Sequence, residues 1–284
     1  MLPLRDENPI DRVPLVTLLL IVACGAVFLF AQRPSSTETI RLGDDVLEVP
    51  NDLAFAWRYA VVPCEIVEGR PLLTSEIERT IIGGDSSACE RDDATSSIDS
   101  PAFAPGKPVL LALVSSLFLH GGIAHLGLNL WFLWIFGNNI EDRLGHLAFG
   151  LFYLAGGIAA TVGHIAAQPS STVPVVGASG AIAAVMGAYL VWFPNAPIRT
   201  VVFLVLVDVR ARWFLIAWFV VQFFTGPDAG VAWIAHVVGF VYGAVLGLAV
   251  RRTTWDRTGG AGHGPYPHPT DYVPGIAHDA ERWR

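Results

Sequence analysis

The sequence predicts an all-α polytopic membrane protein, a six-transmembrane-helix bundle, on three observations. Only 15% of residues are charged while 53% are hydrophobic, and the mean hydropathy is +0.51. A soluble domain carries about a quarter charged residues, so the solvent of this chain is largely lipid. Apolar stretches recur at close to the roughly 20 residues that a spanning helix needs. Finally, several polar side chains lie within those stretches at a similar distance from one end, and polar groups in spanning helices mark function by default because they are costly there.

The first stretch covers about 13–31. Ile21-Val22-Ala23-Cys24 resembles a lipoprotein cleavage box, but the apolar run continues through Gly25-Ala26-Val27-Phe28-Leu29-Phe30. A processed chain turns polar there, so a retained anchor helix is expected and residues 1–31 form the first unit. Residues 32–107 follow as an acidic loop with fourteen acids and seven bases, which accounts for the whole net charge of −7. That length is too great for a plain connector, so some structure is expected in it. Its stretch Ile81–Ser100 reads as mobile. Cys64 and Cys89 both fall in this loop, where either one disulfide or two unpaired thiols is compatible with the sequence.

Residues 108–250 form the main membrane unit. The run Val109–Leu119 is too short to span and ends at His120-Gly121-Gly122, so an interfacial or partly inserted element is expected. Five further spans are read at about 123–140, 147–167, 175–193, 212–225 and 231–250. The apolar run at 198–207 is about ten residues long and precedes Asp208, Arg210 and Arg212, which suits an interfacial or re-entrant segment better than a seventh span. The tail, 251–284, is rich in Gly, Pro and His and reads as disordered. Its His263, His268 and His278 fit a solvated tail rather than a metal site, and no soluble domain is expected at either end.

Orientation follows from Lys and Arg near helix ends. Arg5, Arg12, Arg143, Arg199, Arg210, Arg212, Arg251 and Arg252 all fall on one side of this topology, and the opposite short loops Gln168–Pro174 and Gly226–Gly230 have neither residue type. Both termini are therefore expected to be cytoplasmic, with the acidic loop outside. The charge distribution implies a lipid bilayer as partner and no nucleic acid.

His125 and Asn129 stand one turn apart on one helix face, separated by about 6 Å of rise. Ser179, in Gly177-Ala178-Ser179-Gly180, opens the fourth span from the same side. His236, near the start of the sixth, shares that level. Gly239, Gly243 and Gly247 repeat every four residues and match Gly180, Ala184 and Ala188, so the two helices can approach closely. Such packing would set the imidazole of His236 against the Ser179 hydroxyl, and a serine needs an adjacent base to become a nucleophile. Free N–H groups at the helix start favour a developing anion.

Singly, each feature has a plainer meaning. Gly-Ala-Ser-Gly is a packing face, and His125 with Asn129 is interhelical glue worth about 1 kcal/mol. Together, at one depth, the chemical types favour catalysis. His120 is expected to orient the loop before it, His146 and His164 to be interfacial, and Cys24 to be a core residue. No third carboxylate is well placed, since Asp208 lies near the opposite side.

Leu117–Asn129 (L-F-L-H-G-G-I-A-H-L-G-L-N), Asn139–His146 (N-I-E-D-R-L-G-H), Gly177–Gly180 and Ala235–Gly243 (A-H-V-V-G-F-V-Y-G) together resemble the rhomboid family of intramembrane serine proteases. The resemblance implies a rhomboid-like bundle, Ser179 as nucleophile, His236 as general base, and His125 and Asn129 as oxyanion donors with the Ser179 backbone N–H. It implies no cofactor and no metal, and single-pass transmembrane proteins as substrates. Glu141 and Arg143 match the family's E-x-R and are read as structural. The Trp-Arg pair that many relatives carry about nine residues before the position of His120 is replaced here by Leu111 and Ala112. Thr225–Gly230 suits a lid. The aromatic fifth span (Trp213, Phe214, Trp218, Phe219, Phe223, Phe224) suits a lateral gate and a lipid-facing belt equally. A non-catalytic rhomboid-like adaptor or chaperone is the alternative, but it predicts loss of the serine or histidine. A channel with a His125–His236 proton path gives no reason for Gly-Ala-Ser-Gly or Asn129.

Overall fold

A computed structural model describes residues 2–42, 45–89, 100–225 and 232–251. The tail expected to be disordered, most of the Thr225–Gly230 loop and half of the stretch read as mobile lie outside these residues. Strand β1 (Leu2–Asp6) precedes α1 (Leu15–Ala26), whose π-helical extension Val27–Gln32 completes an apolar run of 18 residues. The acidic segment contains the hairpin β2 (Thr37–Leu42) and β3 (Asp45–Pro50), then α2 (Asn51–Tyr59), α3 (Pro63–Glu68) and α4 (Thr74–Ile81). The short α5 (Ala112–Ser115) runs into a 3-10 turn at Ser116–Phe118. It is bent by 91° against α6 (Ile123–Leu144), with the break at the Gly121-Gly122 pair. Then come α7 (His146–Ala167), α8 (Ser179–Trp192), β4 (Pro197–Val202), β5 (Val205–Arg210), α9 (Ala211–Gln222) and α10 (Trp233–Arg251).

All six expected spans are helical, but they are not equivalent. Among the described residues three helices are long and apolar enough to cross a membrane by themselves, those at Leu15–Gln32, His146–Ala167 and Trp233–Val250. The bent pair α5–α6 qualifies as a unit, while α8 and α9, with 14 and 12 residues, are shorter apolar helices. At 1.5 Å per residue, α8 is about 20 Å long against a hydrocarbon core of about 30 Å. It is nevertheless the centre of the bundle: every residue from Gly180 to Tyr189 is buried, enclosed by α6, α7, α9 and α10. Leu133, Phe136, Phe149, Tyr153 and Phe214 pack against its buried side chains, Met186 among them.

Lipid tails are as apolar as leucine, so close backbone packing and interhelical hydrogen bonds must hold such helices together. A β-carbon on Gly239 would overlap the Gly180 carbonyl oxygen, one on Gly243 the Ala184 carbonyl, and one on Gly247 would lie 3.4 Å from Ala188 Cα. The glycine stripe of α10 thus meets the small-residue stripe of α8 residue for residue. Near the far end the Trp192 indole N–H donates to the Gly247 carbonyl at 2.9 Å. The buried Glu141 carboxylate accepts from the Val16 and Thr17 N–H groups, each at 2.8 Å, and from the Thr17 hydroxyl at 2.7 Å. An anion there caps the start of α1, where unsatisfied N–H groups and the helix dipole favour negative charge. His146 Nδ1 lies 2.6 Å from the same carboxylate, and Arg143 sits over the Trp192 ring at 4.9 Å.

The chain is not all-helical, which corrects the sequence-based expectation. The 198–207 run is neither span nor re-entrant loop but most of the hairpin β4–β5, and β1 pairs antiparallel with β4 to complete a three-stranded sheet, β1-β4-β5. Residues 2–6 are thus built into the sheet. Asp6, at the end of β1, reaches into the bundle, where the Asn139 amide and the Tyr189 hydroxyl (2.9 Å) donate to its carboxylate. Burial pushes the Asp6 carboxyl up to about 6.

The acidic segment packs around Ile40, Trp57, Val62, Leu72 and Ile77 and carries the Cys64–Cys89 disulfide, with 5.8 Å between α-carbons. Beneath it Lys107 pairs with Glu65, both nearly inaccessible, and Lys107 also donates to the Trp57 carbonyl at 2.8 Å. Burial raises the Glu65 carboxyl and lowers the Lys107 ammonium, and their mutual attraction offsets this only in part.

Candidate functional site

Ser179 is the first residue of α8, so its own N–H and those of Gly180 and Ala181 have no acceptor within the helix. The turn before it is held by the Gly177 N–H, which donates to the Ser116 carbonyl at 3.0 Å. Gly177 has φ +124°, and a β-carbon there would stand 2.8 Å from His125 Nε2 and 3.5 Å from Ser179 Oγ. Only glycine takes this backbone without strain, and the missing side chain leaves room for the His125 ring beside the serine.

The close approach of α10 to α8 brings His236 over the start of α8. Its Nε2 lies 2.8 Å from Ser179 Oγ. A hydroxyl that donates to a neutral imidazole is the pairing from which a serine nucleophile is made. On α6, one turn below His125, Asn129 is 7% exposed, and its amide nitrogen has no hydrogen-bond partner among the described residues. A buried donor with nothing to donate to is unfavourable unless a ligand completes it. The four residues singled out from the sequence, His125, Asn129, Ser179 and His236, therefore come from α6, the start of α8 and α10, with His125 and His236 both beside the serine.

Two further histidines are buried. His164, expected at an interface, is 7% exposed inside the bundle, and its Nδ1 has no partner among the described residues. His120 is fully buried. Its backbone N–H donates to Gln32 Oε1 and its carbonyl accepts from Gln32 Nε2, each at 2.9 Å. Its ring stands edge-on to that of His125 at 5.3 Å. Gln32, at the end of the α1 extension, thus fixes the chain just before the turn into α6.

One site residue escaped the sequence reading. Gln222, the last residue of α9, is buried, and its Oε1 lies 2.8 Å from His236 Nδ1. A lone amide in the apolar stretch Ala211–Gln222 is as conspicuous as Asn129, although it stands at the end of a helix dominated by aromatic residues. Trp218, on the same helix, lies 5.8 Å from the His236 ring, centre to centre.

The loop that leads into Ser179 is tied to the acidic segment. The Val175 N–H donates to the Val61 carbonyl at 2.8 Å, the Cys64 N–H to the Ser171 carbonyl at 3.0 Å, and the Trp57 indole to the Thr172 carbonyl at 3.3 Å. Cys64, Cys89 and Glu76 lie close enough for a shared ion, but the two sulfurs are joined to each other and offer no thiolates. Leu111 and Ala112 fall at the start of α5, the first exposed and the second buried.

A Rhomboid domain model matches residues 107–253. Rhomboid protein 1, mitochondrial, of Saccharomyces cerevisiae is 28% identical over 150 residues, which is 51% of this chain and 36% of that protein. Rhomboid protease GluP of Bacillus subtilis is 45% identical over 78 residues, 28% of this chain and 15% of its own length. RHOMBOID-like protein 6, mitochondrial, of Arabidopsis thaliana is 38% identical over 79 residues, 28% of this chain and 25% of that one. The chain thus spans between 15% and 36% of the length of these relatives. With the family model covering just over half of the sequence and the helical bundle described above, this multi-pass membrane protein belongs to the rhomboid family.

Proposed function

We propose that the protein is an intramembrane serine endopeptidase that cleaves transmembrane segments of single-pass membrane proteins with a Ser179–His236 dyad. The observation that carries this reading is the 2.8 Å contact between Ser179 Oγ and His236 Nε2, beside a buried Asn129 amide that lacks a partner among the described residues. In the reaction, Ser179 Oγ attacks the peptide carbonyl carbon and its proton passes to His236 Nε2. The carbonyl oxygen takes negative charge, which the Asn129 amide, His125 and the Ser179 N–H stabilise. Collapse breaks the C–N bond, His236 returns the proton to the leaving amine, and an acyl ester remains on Ser179. Water then attacks the ester and loses a proton to His236, the C–O bond to Ser179 breaks, and His236 passes that proton to the departing Ser179 Oγ as the new carboxylate leaves.

The short α8 supports access for that water, since a central helix of about 20 Å beside the longer α6, α7 and α10 can begin below their ends. We place the acidic segment and the mouth of the site outside the cell membrane and both termini in the cytoplasm, from the arginines at the sheet end. A peptide bond within a helix is shielded by its own turn, so the substrate segment must unwind locally to reach Ser179.

A fluorophosphonate probe on the folded protein in detergent tests the reading. Labelling is expected in the wild type and not in Ser179→Ala, and cleavage of a transmembrane substrate in liposomes should fall to background in Ser179→Ala and His236→Ala. Absence of labelling in folded wild type would favour a non-catalytic helix-binding adaptor.

A further inference from the structure

We infer that Gln222 is a positioning residue for His236, a neutral third member that fixes which ring nitrogen carries the proton. The inference rests on the serine-protease reading above and extends it to a residue on a different helix. For His236 Nε2 to accept the Ser179 proton, the neutral imidazole must carry its hydrogen on Nδ1. That tautomer is set by whatever the second nitrogen meets. It meets Gln222 Oε1 at 2.8 Å, an oxygen that can only accept.

The amide could turn over and offer its N–H₂ instead, which would put the proton on the wrong nitrogen. A second contact prevents this. Gln222 Nε2 donates to the Trp218 carbonyl one turn back at 3.0 Å, and a flipped amide would set two oxygens against each other there. The Trp218 ring, 5.8 Å from that of His236, packs beside the imidazole. Gln222 is buried at 7% exposure, so water does not readily replace it as partner to Nδ1. The carboxylate of a serine-protease triad does the same orienting work and also stabilises the imidazolium by charge. Gln222 supplies the orientation without the charge, which suits a site whose desolvation would make a lone carboxylate costly. Because Gln222 rides on α9 and His236 on α10, separating these two helices would also release the base from its orientation.

The test uses full-length protein in detergent, with rates of fluorophosphonate labelling followed across pH for wild type, Gln222→Leu and Gln222→Glu. Gln222→Leu is expected to label roughly ten- to a hundredfold more slowly, by analogy with removing the hydrogen-bond partner that orients a metal-bound imidazole, with its fold intact by thermal melt. Gln222→Glu keeps an acceptor and should recover most of the rate, with the acid limb of its pH profile moved to higher pH because a carboxylate favours the imidazolium. In parallel, ¹⁵N-histidine NMR should find the His236 proton on Nδ1 in wild type and redistributed in Gln222→Leu. Wild-type labelling by Gln222→Leu, or equal loss in both variants with an unmoved acid limb, would overturn the inference. If the wild type itself does not label, the protease reading falls, and the NMR tautomer alone decides whether Gln222 sets the proton.

Discussion

Asn129 and Ser179 stand on different helices, α6 and α8, and a substitution can remove one without disturbing the other. Asn129→Ala leaves the 2.8 Å Ser179–His236 contact in place and deletes one proposed donor to the oxyanion. Such a loss typically costs about 10²–10³ in kcat, so residual cleavage should be measurable on long incubation in a single-turnover assay, unlike in Ser179→Ala. Because the free Asn129 amide is buried without a partner among the described residues, its deletion should not lower the melting temperature. Full activity in a folded Asn129→Ala protein would remove Asn129 from the oxyanion site. Residues of this kind were legible in the sequence because polarity inside an apolar run is conspicuous and motif spacing fixes depth. Gln222 shows the limit of that approach. Its partner lies 14 positions away across a loop, and no periodicity links them.

At the level of elements, the α8–α10 packing was readable from spacing alone, since glycines four apart define a smooth face whatever surrounds them. The sheet was not. Its hairpin turns at Phe203-Leu204, both with positive φ (47° and 68°), where Asn and Gly are the residues that announce such a turn. Strand β1 is only five residues long and finds its partner almost 200 positions later. The sheet nevertheless reaches the core through Asp6, and this has a pH signature. The folded carboxyl holds its proton up to about 6, whereas an unfolded one releases it near its ordinary value of 3.8. Between these values the folded state binds more protons, so stability falls as pH rises. The contribution is complete below about pH 4 and is lost as pH passes through about 6. Asp6→Asn imitates the protonated form and should raise the melting temperature by several degrees at pH 7.5, with the gain shrinking towards zero at pH 4. An equal gain at both ends would show that titration of Asp6 is not its source.

Across the whole molecule, the acidic segment and the membrane core form one mechanical unit. Composition and topology could say that residues 32–107 lie apart from the bundle and are too long to be a mere connector. They could not say that its backbone holds the loop before Ser179, because those contacts join main-chain groups that leave no mark in the side-chain pattern. The Cys64–Cys89 disulfide closes a loop across 25 positions and should stabilise the segment by about 3 kcal/mol through the unfolded state. Cys64 is also the residue whose N–H holds the Ser171 carbonyl at 3.0 Å, so slack introduced there passes directly to the turn that presents the serine. In intact cells, a thiol reagent that does not cross membranes should label the two cysteines only after reduction; labelling confined to inverted vesicles would reverse the proposed topology. With Cys64→Ala/Cys89→Ala in detergent, hydrogen exchange should speed up in α3, α4 and residues 168–176 while α8 and α10 stay protected. Probe labelling at Ser179 should slow in step. Unchanged labelling despite faster exchange in 168–176 would mean that Gly177 and its hold on Ser116 suffice to set the serine without the domain above.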